Sequence, residues 1–258
     1  MRHYHTTGLS DTQLSDLVVE VRQRVPVRPA ASRPYRIRLF MSVVIVLDWL
    51  RHNHTHAYLA EQNQVSQPTI SRLLARMVPV VTEAATELAC PPSLSISGSA
   101  LLVDGTLIPT WNWRCHKENY SGKRHKSGLG IQVVSDLKGR LVEVSEPYSG
   151  SIHDTAAYGF CGYRELLAHY QLIADSGYQG TNAITPYKAT KLRPLSEHDK
   201  KFNRKLSSLR SAVERCIAHL KTWKVLATGY RRPLKSLPAT IFTVMALQFY
   251  RNTTSTHI

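Results

Sequence analysis

Two short apolar runs, each ending in an aspartate, constrain the possible folds of this chain more than any other feature. Residues 100–104 end at Asp104, and residues 171–175 end at Asp175. Runs of this length and composition are typical of buried strands. Charged carboxylates are seldom fully buried unless they are paired or bind a metal. The pattern therefore predicts two strands that bring two carboxylates to one edge of a sheet.

The part of the chain that contains these runs has the order of strands and helices that is typical of a mixed α/β domain. We predict further strands at residues 128–135 and 140–145 and helices at residues 154–169 and 207–224. Asp136 and Gly139 are the first and fourth residues of a tight turn between the two strands, and we assign Asp136 to that turn. The last helix carries Glu214 beside an apolar stripe of Leu209, Val213, Ile217 and Leu220.

Three carboxylates on separate elements, Asp104, Asp175 and Glu214, can form a metal-dependent site. Crowding like charges is costly unless a cation lies between them, and Mg²⁺ takes oxygen ligands while keeping positions open for phosphate. Two such ions, about 3.5–4 Å apart, can flank a phosphodiester. Each acid also has a structural interpretation. Asp104 and Asp175 precede turn residues, and Glu214 can be an exposed partner of Arg210.

The first part of the chain is predicted to be helical. Apolar residues at helical spacing predict one helix with Asp11 as its cap, and a second helix covers residues 35–51. Proline, serine and glycine are concentrated at residues 90–99, where we place the boundary between a helical domain (residues 1–92) and the α/β domain (residues 98–258).

A candidate helix-turn-helix lies at the end of the helical domain. Thr55 can cap a short helix that buries Leu59 and Ala60, and Ser66 can cap the next, which buries Ile70, Leu73 and Leu74. This leaves Gln67, Thr69 and Arg72 near the exposed N-terminal end, the end that a recognition helix presents to base edges. The alternative is a pair of helices that only pack against each other.

The charge of the chain favours a polyanion as its partner. Its 258 residues include 33 Lys and Arg against 18 Asp and Glu, a formal net charge of +15. Such a charge favours nucleic acid through steering and counterion release. The apolar runs at residues 39–50 and 241–250 are too short to span a membrane, and residues 1–12 lack the core of a signal peptide, so we expect a cytoplasmic, nucleoid-associated protein. The cysteines form no Cys-x-x-Cys pair and are expected to be free thiols.

With these residues in this order, the chain resembles DDE-class insertion-sequence transposases of the branch related to PIF/Harbinger elements. The resemblance extends from about Thr55 to Lys224. It rests on five segments: Val103-Asp-Gly-Thr106, Gly122-Lys-Arg-His125, Gly150-Ser-Ile-His-Asp154, Ala174-Asp-Ser-Gly-Tyr178, and Arg210-Ser-Ala-Val-Glu214 with Lys221. It implies an RNase H-like catalytic domain behind an N-terminal helix-turn-helix. It also implies cleavage of the element's ends and their transfer into new DNA.

The same resemblance implies roles for individual acids. Asp104, Asp175 and Glu214 correspond to the catalytic acids, which would use Mg²⁺ or Mn²⁺, with two ions per site. Some relatives group the acid at Asp154 with the metal ligands. The alternative for Asp154 is a capping box that begins at Ser151.

The implied partner is double-stranded DNA, both the terminal inverted repeats of the element and the target. Arg210 and Lys221 match a signature of arginine, glutamate and lysine on one helix, although the tyrosine that begins it is Ser207 here. Both side chains can contact phosphates, and surface ion pairing is the alternative for Lys221. Joining two ends of an element implies a homo-oligomer, at least a dimer.

Two further groups of residues are candidates for DNA contacts. Residues 188–210 are strongly basic and include Lys191 and Arg204, which can clamp the DNA backbone; the alternative is a solvated loop. Trp111 and Trp113 can stack on an unpaired base or be partly buried.

We therefore predict a metal-dependent DNA transposase. The alternatives are a catalytically inactive or domesticated relative that binds DNA without cutting it, and a metal-dependent nuclease of the same fold. The presence of all three acids argues against an inactive relative.

Overall fold

A computed structural model describes residues 3–26, 34–90, 100–111, 117–190 and 193–253 of the chain. The chain divides into two compact units. The first comprises Met1–Cys90, Thr222–Thr228 and Ala239–Ile258, and the second comprises Pro91–Lys221 and Gly229–Pro238. The last helix of the chain therefore belongs mainly to the first unit, whereas the sequence analysis assigns it to the second domain.

The described residues of the first unit up to Cys90 form helices, as predicted. They are α1 (Tyr4–Thr7), α2 (Asp11–Arg24), α3 (Leu39–His52), α4 (His56–Gln62) and α5 (Gln67–Leu88). Ser10, rather than Asp11, caps α2: the Ser10 hydroxyl accepts a hydrogen bond from the Gln13 N–H, and the Gln13 side chain accepts one from the Ser10 N–H. Ser10 is the capping residue because it directly precedes the helix, where its hydroxyl can accept a hydrogen bond from one of the first N–H groups, which have no partner within the helix.

Helices α4 and α5 follow each other closely and pack together. The Thr55 hydroxyl accepts a hydrogen bond from the Tyr58 N–H at 3.1 Å, which confirms the predicted cap of α4. Ser66 is the N-cap residue of α5, as predicted, but its hydroxyl makes no capping hydrogen bond with the backbone and pairs instead with the Thr69 hydroxyl at 2.9 Å. The predicted inward positions of α5 are buried: Ile70, Leu73 and Leu74.

The second unit contains a mixed sheet. Its described strands are β1 (Ala100–Pro109), β2 (Tyr120–Ser121), β3 (Lys126–Asp136), β4 (Leu141–Val144), β5 (Tyr148–Ser149) and β6 (Gln171–Ile173). Strand β1 runs antiparallel to β3 along most of its length and parallel to β6 at residues 100–102. Strands β2, β4 and β5 all pair with β3.

Strand β1 does not end at Asp104, as the sequence analysis predicts, but continues to Pro109. The reason is that β3 is long enough to pair with β1 over both halves, so Asp104 lies opposite Val133 in mid-strand. Its parallel partner β6 ends near this point, and Asp104 therefore lies just beyond the end of the parallel ladder.

The turn between β3 and β4 is confirmed. The Gly139 N–H donates to the Asp136 carbonyl at 3.0 Å, and the Asp136 carboxylate accepts from the Lys138 N–H at 2.9 Å. Gly139 has φ of 81°, a left-handed conformation that a residue with a side chain rarely adopts.

Helices cover both faces of the sheet. They are α6 (Asp154–Phe160), α7 (Tyr163–Leu166) and α8 (Glu197–Leu220), and α9 (Leu237–Thr253) follows later in the chain. Because side chains alternate along a strand, Leu102 packs with Val213 of α8, whereas Leu101 and Val103 pack with Tyr158 of α6. This arrangement confirms the mixed α/β class.

Two helix predictions differ from the structure. The helix predicted over residues 154–169 is broken at Gly162, which has φ of 71°. The helix predicted to begin at residue 207 begins at Glu197, where Ser196 and Asp199 form a capping box. Much of the basic segment 188–210 is therefore helical rather than a loop. Leu209, expected on the apolar stripe, is 43% exposed.

No helix of the described residues is long and apolar enough to cross a membrane.

Candidate active site

Asp104 is half-buried in the middle of β1, on the face that α8 covers. Its Oδ1 accepts a hydrogen bond from the Gly105 N–H at 2.8 Å. The pKa of Asp104 is raised from 3.8 to about 6, first by burial and then by the charge of Asp175, with a smaller contribution from Asp154. The Arg210 guanidinium and the Gly105 N–H oppose this rise. Asp104 is thus a largely desolvated carboxyl group on which the charges of two other carboxylates act.

Asp175 follows β6 and caps a 3-10 turn at Ser176–Tyr178. Its Oδ1 accepts a hydrogen bond from the Gly177 N–H at 2.7 Å. The structural interpretation of this acid, a turn residue, is therefore confirmed. The same carboxylate raises the pKa of Asp104, so the turn also brings a second negative charge next to β1.

Asp154 is the first residue of α6, and its carboxylate lies between β1 and the turn that follows Asp175. A Cβ atom on Gly105 would lie 2.5 Å from Asp154 Oδ1, and one on Gly177 would lie 3.1 Å from Oδ2. Lys123 donates from Nζ to Oδ2 at 2.9 Å. The carboxylate reaches this position because both neighbouring residues lack side chains.

The capping box predicted at Ser151 is wrong. The residue before α6 is His153, which makes no side-chain capping hydrogen bond, and the Ser151 hydroxyl pairs with that of Ser149 at 2.9 Å. Residues 150–152 form a turn rather than the helix start, which displaces Ser151 from the capping position. The Asp154 carboxylate is directed instead to Lys123 and the two glycines.

Glu214 is more exposed than the three aspartates, with 59% of its side chain accessible. Its nearest described cation is Arg210, one turn earlier on α8, with the two side chains 3.9 Å apart. Arg210 is largely buried, its Nε has no hydrogen-bond partner among the described residues, and it acts on the pKa of Asp104. Arg210 thus acts electrostatically on Asp104, whereas Glu214 is linked to this region through its ion pair with Arg210.

The chemistry of the aspartates suits a hard divalent cation. In the described part of the chain, no three His, Cys, Asp or Glu side chains form a ready metal cage. Mg²⁺ needs only one or two carboxylates and completes its shell with water and phosphate. Asp104 and Asp175 meet this requirement, because the charge of Asp175 disfavours the ionised form of Asp104 and a cation would relieve that repulsion.

Lys221 is the residue that ends α8, and it contacts the backbone of β1. Its Nζ donates to the Leu107 carbonyl at 2.8 Å. Its pKa is lowered to about 8, mainly by burial and then by the charges of Arg124 and Lys126. The surface ion pair considered for Lys221 is not its main interaction, because its described neighbours are a carbonyl group and two cations.

The sequence analysis missed a buried hydrogen-bonded group behind the aspartates. Gln132 is fully buried on β3, opposite Gly105. Its side-chain amide donates to the Tyr148 hydroxyl at 2.8 Å and accepts a hydrogen bond from the Tyr178 hydroxyl. The pKa of both tyrosines is raised, mainly by burial and to a smaller extent by the charge of Asp154. In the sequence analysis, Tyr178 is only the last residue of one motif. No sequence signal distinguishes Gln132 from an ordinary strand residue.

The predicted DNA-contacting residues lie in both units. In the first unit, Gln67 and Arg72 are exposed and Thr69 is partly exposed at the start of α5. In the second, Arg204 is exposed on α8, and Lys191 lies outside the described residues. Trp111 is 65% exposed with the Arg231 guanidinium 4.9 Å from its ring centre, and Trp113 is also outside the described residues.

The sequence is similar to one family model and to two transposases of known insertion elements. A family model described as DDE superfamily endonuclease matches residues 103–248. The chain is 30% identical over 222 residues to a putative transposase for insertion sequence element IS112 of Streptomyces albus G, covering 85% of this chain and 83% of the relative. It is 34% identical over 125 residues to a probable transposase for insertion sequence element IS702 of Microchaete diplosiphon, covering 46% of this chain and 44% of the relative.

One comparison concerns a solved structure. The cryo-EM structure of a piggyBac transposase synaptic complex with hairpin DNA superposes with a TM-score of 0.49 and 12% sequence identity. The match covers 98% of this chain and 75% of that chain.

Proposed function

We propose, from the premise that the chain belongs to the DDE superfamily endonucleases, that it is a DNA transposase that cuts the ends of an insertion element and joins them to new DNA. One observation carries the catalytic part of the proposal. Asp154 and Asp175, on two other elements of the second unit, both act electrostatically on Asp104, and both of their carboxylates lie within about 3 Å of the position that a Cβ atom on Gly177 would take. Within the family, the order of the motifs supports the branch related to PIF/Harbinger elements.

The catalytic acids in this proposal are Asp104, Asp175 and Glu214. Asp104 and Asp175 would hold Mg²⁺ or Mn²⁺, together with Asp154 and Glu214, at two ions per site. When bound, the ions supply positive charge to the attacking and leaving oxygens of the phosphodiester. Glu214 is included because it lies one helical turn from Arg210, whose charge acts on Asp104.

The chain's own residues prepare the site for this role. Arg210 and the Gly105 N–H both favour the ionised form of Asp104, which is the form that binds a cation. The Gly177 N–H fixes one oxygen of Asp175, and Lys123 neutralises Asp154.

DNA binding in this proposal uses both units. Helices α4 and α5 form a helix-turn-helix in which Gln67, Thr69 and Arg72 contact bases, because these residues are accessible at the start of the second helix. In the second unit, four basic residues contact phosphates: Lys191, Arg204, Arg210 and Lys221. The second unit would have an RNase H-like fold, the protein would act on DNA as at least a dimer, and its place of action would be the cytoplasmic nucleoid.

The experiment that tests the proposal is a nicking assay. Purified protein with Mg²⁺ or Mn²⁺ is expected to nick a duplex that carries the inverted repeats flanking its reading frame. Asp175→Asn should abolish nicking and leave duplex binding intact, and Asp16→Asn, at an exposed position on α2, should change neither. If Asp175→Asn cuts as well as the parent protein, the assignment is wrong.

The same experiment distinguishes the transposase from two other functions. A relative that binds DNA without cutting would bind the repeats but show no metal-dependent nicking. A nuclease of the same fold would nick the duplex but fail to join a pre-cut end to plasmid DNA. Strand transfer therefore separates the transposase from both.

A further inference from the structure

A cavity of about 650 Å³ in the second unit opens beside Asp154. We call it the glycine cavity, because Gly105, Gly122, Gly130, Gly150 and Gly177 line it. Asp154 forms part of its wall, together with Lys123, Arg124, Tyr120 and Tyr148. The Asp104–Asp175–Glu214 set does not account for this space, since of the acids only Asp154 lines it.

The size of the glycine cavity limits what can enter it. Its volume falls within the roughly 300–1,000 Å³ of sites for small molecules, which is far too small for a DNA duplex. A single nucleotide that has left the base stack is of the right size. Because Asp154 is a proposed metal ligand, an occupant would lie next to the reacting phosphate, and this step rests on the proposed function.

The walls of the cavity provide both kinds of contact that a nucleotide needs. Lys123 and Arg124 supply positive charge for a phosphate, and Arg124 is held in place because its guanidinium donates to the Gly105 carbonyl at 2.8 Å. Tyr148, whose ring packs against Gly130, is 5% exposed and forms part of the wall, whereas Tyr120 at the rim is 49% exposed and offers an accessible ring. Aromatic rings of this kind stack on bases of any sequence.

From this combination of size, charge and aromatic surface, we infer that the glycine cavity binds one unstacked nucleotide of the DNA strand that is being cut or joined. The bound nucleotide would position its neighbouring phosphate at the aspartates. Recognition would be tolerant of base identity, because stacking on an aromatic ring and pairing of a cation with a phosphate do not depend on which base is bound.

Gly122 allows the cavity to be filled without disturbing the fold. A Cβ atom at Gly122 would have no neighbour within 4 Å, and its φ is not among the positive values found at other glycines. A leucine there would extend into the open space. Gly159, on α6, offers a matched control: it also has no neighbour within 4 Å, and it does not line the cavity.

The test compares two DNA probes without divalent metal. One is a blunt 20-base-pair duplex, and the other is the same duplex with one unpaired 3′ thymidine. The parent protein is expected to bind the second probe about tenfold more tightly. Gly122→Leu should lose this advantage and retain the affinity for the blunt duplex within twofold, whereas Gly159→Leu should retain both.

Two results would overturn the inference: no advantage of the unpaired nucleotide in the parent protein, or an advantage that survives in Gly122→Leu. These results are independent of nicking, because no metal is present. A parent protein that shows the advantage but never nicks DNA with Mg²⁺ would refute the proposed catalytic function and leave the nucleotide site in place.

Discussion

The hydroxyl group of Tyr178 donates a hydrogen bond to the side-chain carbonyl of Gln132, and both residues are fully buried. Tyr178 belongs to the turn that begins after Asp175. Gln132 lies opposite Gly105, the residue that follows Asp104 in β1. One buried hydrogen bond therefore connects the turn that follows Asp175 to β3, the strand that pairs with β1 beside Asp104.

We expect Tyr178→Phe to weaken metal use more than stability. Loss of a buried hydrogen bond costs about 1 kcal/mol of unfolding free energy, but residues that orient metal ligands typically change metal affinity by about tenfold or more. The Mg²⁺ concentration for half-maximal nicking should therefore rise about tenfold. Nicking measured against Mg²⁺ concentration, with denaturant unfolding alongside, checks this.

Tyr158→Phe is the matched control for that variant. Tyr158 is equally buried in the same core, but its hydroxyl donates to Asn182 at 3.0 Å and not to Gln132. It should lose similar stability and keep the Mg²⁺ dependence of the parent protein. Identical Mg²⁺ curves for the two variants would contradict a positioning role for Tyr178.

Gly105→Ala should displace Asp154 while the protein still folds. The new Cβ atom would lie 2.5 Å from Asp154 Oδ1, the end of a side chain that can rotate away. We expect nicking to fall at least tenfold with little change in melting temperature, because a ligand is moved but the packing of the strand is kept. Gly159→Ala, which has open space around it, should leave nicking unchanged. Full activity in Gly105→Ala would show that Asp154 is not required at this position.

Asp104→Asn should stabilise the metal-free protein at neutral pH. Its folded-state pKa is raised from 3.8 to about 6, so stability is greatest below pH 3.8 and falls as pH rises through 6, where the buried carboxyl group ionises. At about 1.4 kcal/mol per pKa unit, the cost above pH 6 is on the order of 2 to 3 kcal/mol. Asparagine removes this cost.

The measurement is urea unfolding of both proteins in EDTA between pH 5 and pH 8. The difference in unfolding free energy should grow with pH and level off above pH 7. Added Mg²⁺ should then stabilise the parent protein more than Asp104→Asn, because binding to the folded state raises its stability. A difference that does not change with pH would contradict the electrostatic argument.

Arg72→Ala should weaken binding to the terminal repeats about tenfold and binding to random duplex less. A base contact by arginine is worth about 1–3 kcal/mol of discrimination, and Arg72 is exposed near the start of α5. Fluorescence anisotropy with the two duplexes checks this. Arg22→Ala, at an exposed position on α2, should affect neither; an equal loss on both duplexes in Arg72→Ala would mean that the arginine contacts only phosphate.

The sequence by itself determined the class of the fold and the elements that carry the acids. Local signals were sufficient for the turn at Asp136, because that carboxylate satisfies N–H groups a few residues away. Short apolar runs were likewise sufficient to locate β1, β3 and β6, although not the end of β1, since burial of a strand is visible in the composition of the strand itself.

Only the tertiary structure decided which acids lie together. The place of Asp104 in mid-strand depends on the length of β3, and the approach of Asp154 depends on two glycines, Gly105 and Gly177, that are distant from it in sequence. The burial of Gln132 and the raised pKa of Asp104 also depend on residues that are distant in sequence and come close only in the folded chain. Electrostatic and hydrogen-bonding effects act through space at a few ångströms, so a pattern read along the chain cannot specify them.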